Sequence, residues 1–155
     1  MVAVDRLLSA EGNAGCMSAL EDQFAHRWGQ LYPDLPPLRG QTIPPWEAWA
    51  AERKSLGLAR VRRAFVGDFI WPSAQVVVEI QGGTWVVSGH STGTGIKRDA
   101  TKLLTAAIGG WLVVPLTAEM MKAESGVWFP KLAGLIRARA CEFAKDSSVA
   151  LAHLP

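Results

Sequence analysis

Residues 66–83 read VGDFIWPSAQVVVEIQGG, and no other stretch restricts the fold as much. Two runs rich in β-branched and aromatic residues are separated by Trp71-Pro72-Ser73-Ala74, which predicts two adjacent strands joined by a tight turn. Side chains of a strand alternate between faces, so Glu79 and Gln81 share one face about 7 Å apart. A hairpin brings Asp68 next to them. Two acids taken out of water repel each other unless a cation lies between them, and a hard divalent ion that prefers oxygen ligands meets that need. The backbone carbonyl of Ile80 is a further oxygen at the same place. The alternative is that Asp68 and Glu79 are ordinary edge-strand carboxylates, because a short acid-acid-glutamine pattern is not specific by itself.

The rest of the chain supplies elements to build around this pair. Residues 17–31 carry Leu20, Phe24, Trp28 and Leu31 at helical spacing, with Ser18 as N-cap. Residues 32–45 hold five prolines, which predicts an extended, irregular connection. Residues 46–56 form a short helix that reads as an insertion. Strand patterns at 59–65, 68–70 and 76–81 predict an antiparallel meander. A helix over 97–108 follows, closed by Gly109-Gly110, then a buried strand at 111–116 and helices at 118–123 and 128–143, the last with Leu132, Leu135 and Ile136 on one face. The fold class is α/β, a mixed β-sheet flanked by α-helices.

At 155 residues, with 49% apolar and 19% charged side chains, the chain is expected to fold as one domain around one core. The apolar runs are too short to span a bilayer and the N-terminus has no signal-peptide pattern, so no membrane partner and a cytoplasmic location are expected. Cys16 and Cys141 lie far apart without a CxxC pair and read as reduced structural thiols. The net charge of +2 is modest, but the basic residues cluster: Arg53-Lys54, Arg60 with Arg62-Arg63, Lys97-Arg98 with Lys102, and Lys131 with Arg137 and Arg139. The first three clusters flank the acids in sequence, where phosphates of DNA would be held; the alternative for any of them is a solvated face. Residues 84–96 read as a glycine-containing loop at the substrate entrance, without the strand-to-helix signature of a nucleotide-binding P-loop, so no nucleotide cofactor is expected.

Taken in order, Asp68-Phe69-Ile70-Trp71-Pro72, the hydrophobic strand ending in Glu79, Gly82-Gly83, His90, Asp99-Ala100-Thr101-Lys102 and Gly110-Trp111 resemble the PD-(D/E)XK nuclease superfamily, in its very-short-patch-repair-like branch. The likeness covers residues 59–116. It implies a restriction-endonuclease-like core, a catalytic set of Asp68, Glu79, Gln81, His90 and Lys102, and Mg2+, with Mn2+ able to substitute, on Asp68, Glu79 and the Ile80 carbonyl. Glu21 corresponds to a helix-borne acid that joins the metal in many members; a solvated helix carboxylate is the alternative. His90 has two readings, proton transfer or a structural hydrogen bond. Gln81 departs from the superfamily pattern, which has lysine there, so the charge stabiliser has to be the metal, Lys97 or Lys102.

The implied activity is metal-dependent phosphodiester hydrolysis in DNA. Small phage Holliday-junction resolvases belong to the same superfamily, and a two-fold junction suits a homodimer making paired nicks, so branched four-way DNA is the first expectation for the substrate. A mismatch or nicking endonuclease of the repair type, a restriction-like endonuclease and, more remotely, a non-catalytic DNA-binding module are the alternatives. Trp46, Trp49, Trp128 and Phe129 serve either a dimer surface or the core.

Overall fold

The protein's structure is a computed structural model that describes residues 19–58, 64–81 and 93–152. In chain order the elements are α1 (Ala19–Leu31), β1 (Leu38–Gln41), α2 (Pro44–Ser55), β2 (Gly67–Trp71), a 3-10 turn (Pro72–Ala74), β3 (Val76–Gln81), α3 (Gly93–Ile108), β4 (Leu112–Thr117), α4 (Ala118–Lys122) and α5 (Ser125–Ala152). The four strands form one mixed sheet in the order β1-β2-β3-β4. β1 and β3 run antiparallel to β2, while β4 lies parallel to β3. A parallel neighbour requires a crossover, and α3 supplies it.

Strand alternation sorts the core into two layers. Phe69, Trp71, Val76 and Val78 face one side, where they meet Phe24 and Trp28 of α1, Met121 of α4 and Phe129, Leu132 and Ile136 of α5. Ile70 and Val77 face the other, against Ile43, Trp46, Phe65 and Ala106. A strand covered on both faces needs no polar alternation, which explains the unbroken apolar run Val76-Val77-Val78. The hairpin turn closes through Gln75, a non-glycine residue in the left-handed region at φ 50°. Gly110, at φ 77°, ends α3, as its sequence predicts.

Several expectations are corrected. The proline-rich stretch 32–45 is not wholly irregular, because Leu38–Gln41 forms the first strand of the sheet. It is held down by Trp28 and Trp71, whose indole N–H groups both donate to the Leu35 carbonyl, at 2.8 and 3.0 Å. β1 takes the outer place in the antiparallel meander that the pattern at 59–65 suggested. Residues 59–63 lie outside the described set, and Phe65 is no strand residue but a core side chain stacked on Trp49. α2 is not an appended insertion: Trp46 is fully buried, and its indole donates to the Lys102 carbonyl at 3.0 Å, tying α2 to α3. Trp46 and Phe129 are therefore core residues and form no dimer surface. β4 is only partly buried, since it is the edge strand. α3 begins at Gly93, so Gly93 and Gly95 belong to a helix rather than to the expected loop, and Cys141 is exposed rather than structural. No described helix is long and apolar enough to cross a membrane.

Candidate active site

The two carboxylates singled out by the sequence come together at one end of the sheet. Paired residues of β2 and β3 run from Trp71–Val76 through Ile70–Val77 to Phe69–Val78. Continued by one step, that register sets Asp68 opposite Glu79. Instead of continuing the ladder, the Asp68 side chain enters it: its Oδ2 accepts a hydrogen bond from the Ile80 amide at 2.7 Å. In a strand the N–H and C=O of one residue point to the same side, so the Ile80 carbonyl also faces β2, beside Asp68. Gly67 lets β2 approach closely, since a Cβ there would lie 2.6 Å from Val77 Cγ1.

Lys102 completes the cluster from α3. Its Nζ donates to Glu79 Oε2 at 2.6 Å and to the Val66 carbonyl at 3.1 Å, and it lies 5.0 Å from the centre of the Trp46 ring. The side chains of Lys102 and Glu79 are only 18% and 15% exposed. Lys102 thus pairs with the sheet and not with Asp99 one helical turn earlier. The other oxygen of Glu79, Oε1, is buried and has no hydrogen-bond partner. A buried carboxylate oxygen without a donor is costly unless something binds it.

The electrostatics agree with this geometry. Burial pushes the Asp68 carboxyl above the usual carboxylate range; the Ile80 amide opposes the shift, the charge of Glu21 adds to it, and Lys102 opposes it. Burial likewise raises Glu79, against the hydrogen bond and charge of Lys102, while Asp68 and Asp99 push it further up. The site carries an excess of negative charge that one lysine does not balance.

The donor set fits a divalent ion of the Mg2+ type. Mg2+ usually takes one or two carboxylates and fills its remaining positions with water and substrate phosphate. Asp68 and Glu79 supply that pair, the Ile80 carbonyl is a third oxygen alongside, and Glu79 Oε1 is the oxygen that lacks a partner. Glu21 is half-buried on α1 and close enough for its charge to act on Asp68. Even so, no group of three or more His, Cys, Asp or Glu side chains suited to a metal gathers among the described residues.

The other expected site residues divide. Gln81 ends β3, exposed and level with Thr117 of β4. Arg53 and Arg98 converge on one aromatic pair: Arg53 lies 5.5 Å from the Trp49 ring centre, Trp49 stacks on Phe65 at 4.7 Å, and Arg98 lies 5.8 Å from Phe65. Arg53 Nε is buried without a hydrogen-bond partner. Lys54 and Lys97 are exposed. His90, Arg60, Arg62, Arg63, Gly82 and Gly83 lie outside the described residues, as do Cys16, Ser18 and His153. The C-terminal basic cluster is engaged within the fold: Arg137 pairs with Asp34 at 2.8 Å, and Arg139 donates to the carbonyls of Ala74 and Gly110. Sequence reasoning missed the Val66 carbonyl, the Trp46 ring and Gly67, which fix Lys102 and Asp68 in place. Only the apolar face of residues 46–50 hinted at the role of Trp46.

No protein-family model, no curated protein and no solved structure matches this chain. The functional reading therefore rests on the site itself.

Proposed function

We propose that this chain is a metal-dependent, structure-specific endodeoxyribonuclease with a restriction-endonuclease-like core, and that its substrate is branched DNA of the four-way junction type. The observation that carries the reading is the Asp68–Glu79 pair: two half-buried carboxylates on facing strands, both raised by burial, with one buried oxygen unpartnered and a lysine at the edge. Asp68, Glu79 and the Ile80 carbonyl hold Mg2+ or Mn2+. The chemistry such an ion supplies when bound is polarisation of a phosphate oxygen and a lower pKa for the attacking water.

The chain's own groups do the rest. The Ile80 amide fixes the Asp68 carboxylate, so its free oxygen is pre-oriented. Lys102, anchored by Val66 and Trp46, provides the positive charge that glutamine at position 81 does not, and stabilises charge developing on the scissile phosphate. Arg53 and Arg98, set by their aromatic stack between α2 and α3, hold neighbouring phosphates. These contacts read backbone and shape rather than base edges, which favours a substrate defined by its branching.

The test is cleavage of an end-labelled four-way junction against a linear duplex of the same arm sequence, in Mg2+. Paired nicks in the junction with the duplex left intact are expected. Equal nicking of linear mismatched duplexes would favour the repair-type alternative, and no cleavage of any DNA would end the nuclease reading.

A further inference from the structure

Behind the sheet from Lys102, α1, α4 and the start of α5 enclose a cleft of about 310 Å³. Its floor is apolar. Phe24, Met121 and Phe129 line it, and all three are buried in the core layer that α1 and α5 share with the sheet. Phe24 and Phe129 meet edge to face, with ring centres 5.4 Å apart. The mouth is polar: Gln23, His26, Arg27 and Gln30 recur at helical spacing along one face of α1, Lys122 joins them from the end of α4, and each of these side chains is exposed.

The charges at the mouth are of one sign. No Asp or Glu lines the cleft, and among the described residues neither Arg27 nor Lys122 makes an ion pair or a side-chain hydrogen bond. Arg27 lies 5.9 Å from the centre of the Phe129 ring, a contact that sets its guanidinium against the apolar floor while its N–H groups find no partner there.

We infer that this cleft binds a small organic anion, an aromatic ring carrying a phosphate or carboxylate group. Two cations without counter-ions attract an anion and repel a metal ion. Arg27 offers the planar fork of donors that matches such a head group, and Lys122 adds a point charge. The floor selects a ring, because aromatic edges and faces and a thioether are favourable neighbours for another aromatic group. Volume sets the size: ligand sites span roughly 300–1,000 Å³, so this cleft has room for one ring with its head group and not for a dinucleotide or a folded peptide. None of its residues belongs to the carboxylate cluster, and the sheet separates the two layers, so the inference goes beyond the nuclease reading and does not rest on it.

Phenyl phosphate titrated into the full chain in EDTA, with methyl-labelled methionine followed by NMR, tests the inference at Met121 in the floor. A saturable shift of the Met121 methyl signal is expected with phenyl phosphate. Inorganic phosphate, which lacks the ring, and phenol, which lacks the charge, should bind far more weakly, and benzoate in a parallel titration decides between the two head groups. Arg27→Gln and Lys122→Gln should each weaken phenyl phosphate binding about tenfold, the usual loss when a charged hydrogen-bond donor is removed, with an unchanged melting temperature because both side chains are exposed. A Met121 signal that does not respond overturns the proposal, as does inorganic phosphate binding as tightly as phenyl phosphate, or both variants binding like wild type. Displacement of phenyl phosphate by a DNA duplex would assign the two cations to DNA and overturn it as well. No cleavage is measured in any of these titrations, so the nuclease reading stands or falls separately.

Discussion

Asp68 can be tested by a change that keeps its shape. Asn at this position retains an oxygen able to accept from the Ile80 amide but carries no charge. The folded-state carboxyl titrates above its ordinary value of 3.8, so between the two values the folded chain binds more protons than the unfolded one. The stability that this one group contributes is then fully present below 3.8, falls as pH rises through that window, and is gone above the raised value. Asp68→Asn should accordingly raise the melting temperature of metal-free protein at neutral pH. Mg2+ should reverse the order. At 100 times its dissociation constant, an ion that binds only the folded wild type adds about 2.7 kcal/mol, which is a rise of roughly 5–10 °C for a domain of this size. Asp68→Asn should show little of that rise. A thermal-shift titration with Mg2+ and EDTA reads both effects, and an equal Mg2+ response in wild type and Asp68→Asn would remove Asp68 from the metal site.

Lys102 is the second decisive residue. Lys102→Met keeps the stem against Trp46 but removes the charge, so single-turnover cleavage should fall by about 10²–10³-fold, the usual loss when one group that stabilises developing charge is removed. Junction affinity should change far less. A parallel loss of affinity and rate would mean that Lys102 only binds DNA. The sequence showed Lys102 as one of three candidate charge stabilisers, beside the metal and Lys97, and left its partner open. Its pairing with Glu79, 23 residues away in the chain, depends on how α3 crosses the sheet, and helical spacing carries no information about that.

At the scale of elements, the geometry of the site depends on how closely β2 approaches β3 and on α2 under Lys102. Gly67→Ala forces a methyl group against Val77, which should cost about 1–3 kcal/mol, the usual penalty of overpacking. Because Gly67 precedes Asp68, cleavage should fall further than stability alone explains. Urea denaturation alongside a cleavage assay separates the two, and a variant with wild-type stability and activity would contradict the close approach. The central hairpin, α3 and the strand after it were legible in the sequence, because long apolar runs with glycine and proline at their ends leave few options. β1 was not. Leu38–Gln41 is short, all four residues are exposed, and prolines surround it, so neither alternation nor burial marks it; it is a strand because β2 offers it an edge. Phe65 misled for the opposite reason. Its ring packs against Trp49 and Trp46, which requires an apolar residue but not an extended ladder. Residue identity placed the acidic pair correctly, whereas the lysine's anchor on Val66 and Trp46 arises from tertiary packing alone.

For the whole molecule, the arrangement is a mixed sheet with one layer of helices closing its core and the other, α2 and α3, carrying basic residues to the end where the carboxylates emerge. If Arg53 and Arg98 contact phosphates, binding should weaken steeply with added salt, and Arg98→Ala should reduce the slope of log affinity against log salt by about one unit for the lost contact. Fluorescence anisotropy with a labelled junction measures that slope; an unchanged slope would return Arg98 to its stack on Phe65. The proposed nuclease requires that Asp68 and Glu79 together hold the ion that cuts DNA. Single-turnover cleavage of a labelled four-way junction by wild type, Asp68→Asn and Glu79→Gln, with Mg2+ and then with EDTA, tests it most directly. Cleavage by wild type in Mg2+ alone is expected, with both variants reduced to background while they still bind the junction. Cleavage by either variant at the wild-type rate, or by wild type in EDTA, would contradict it.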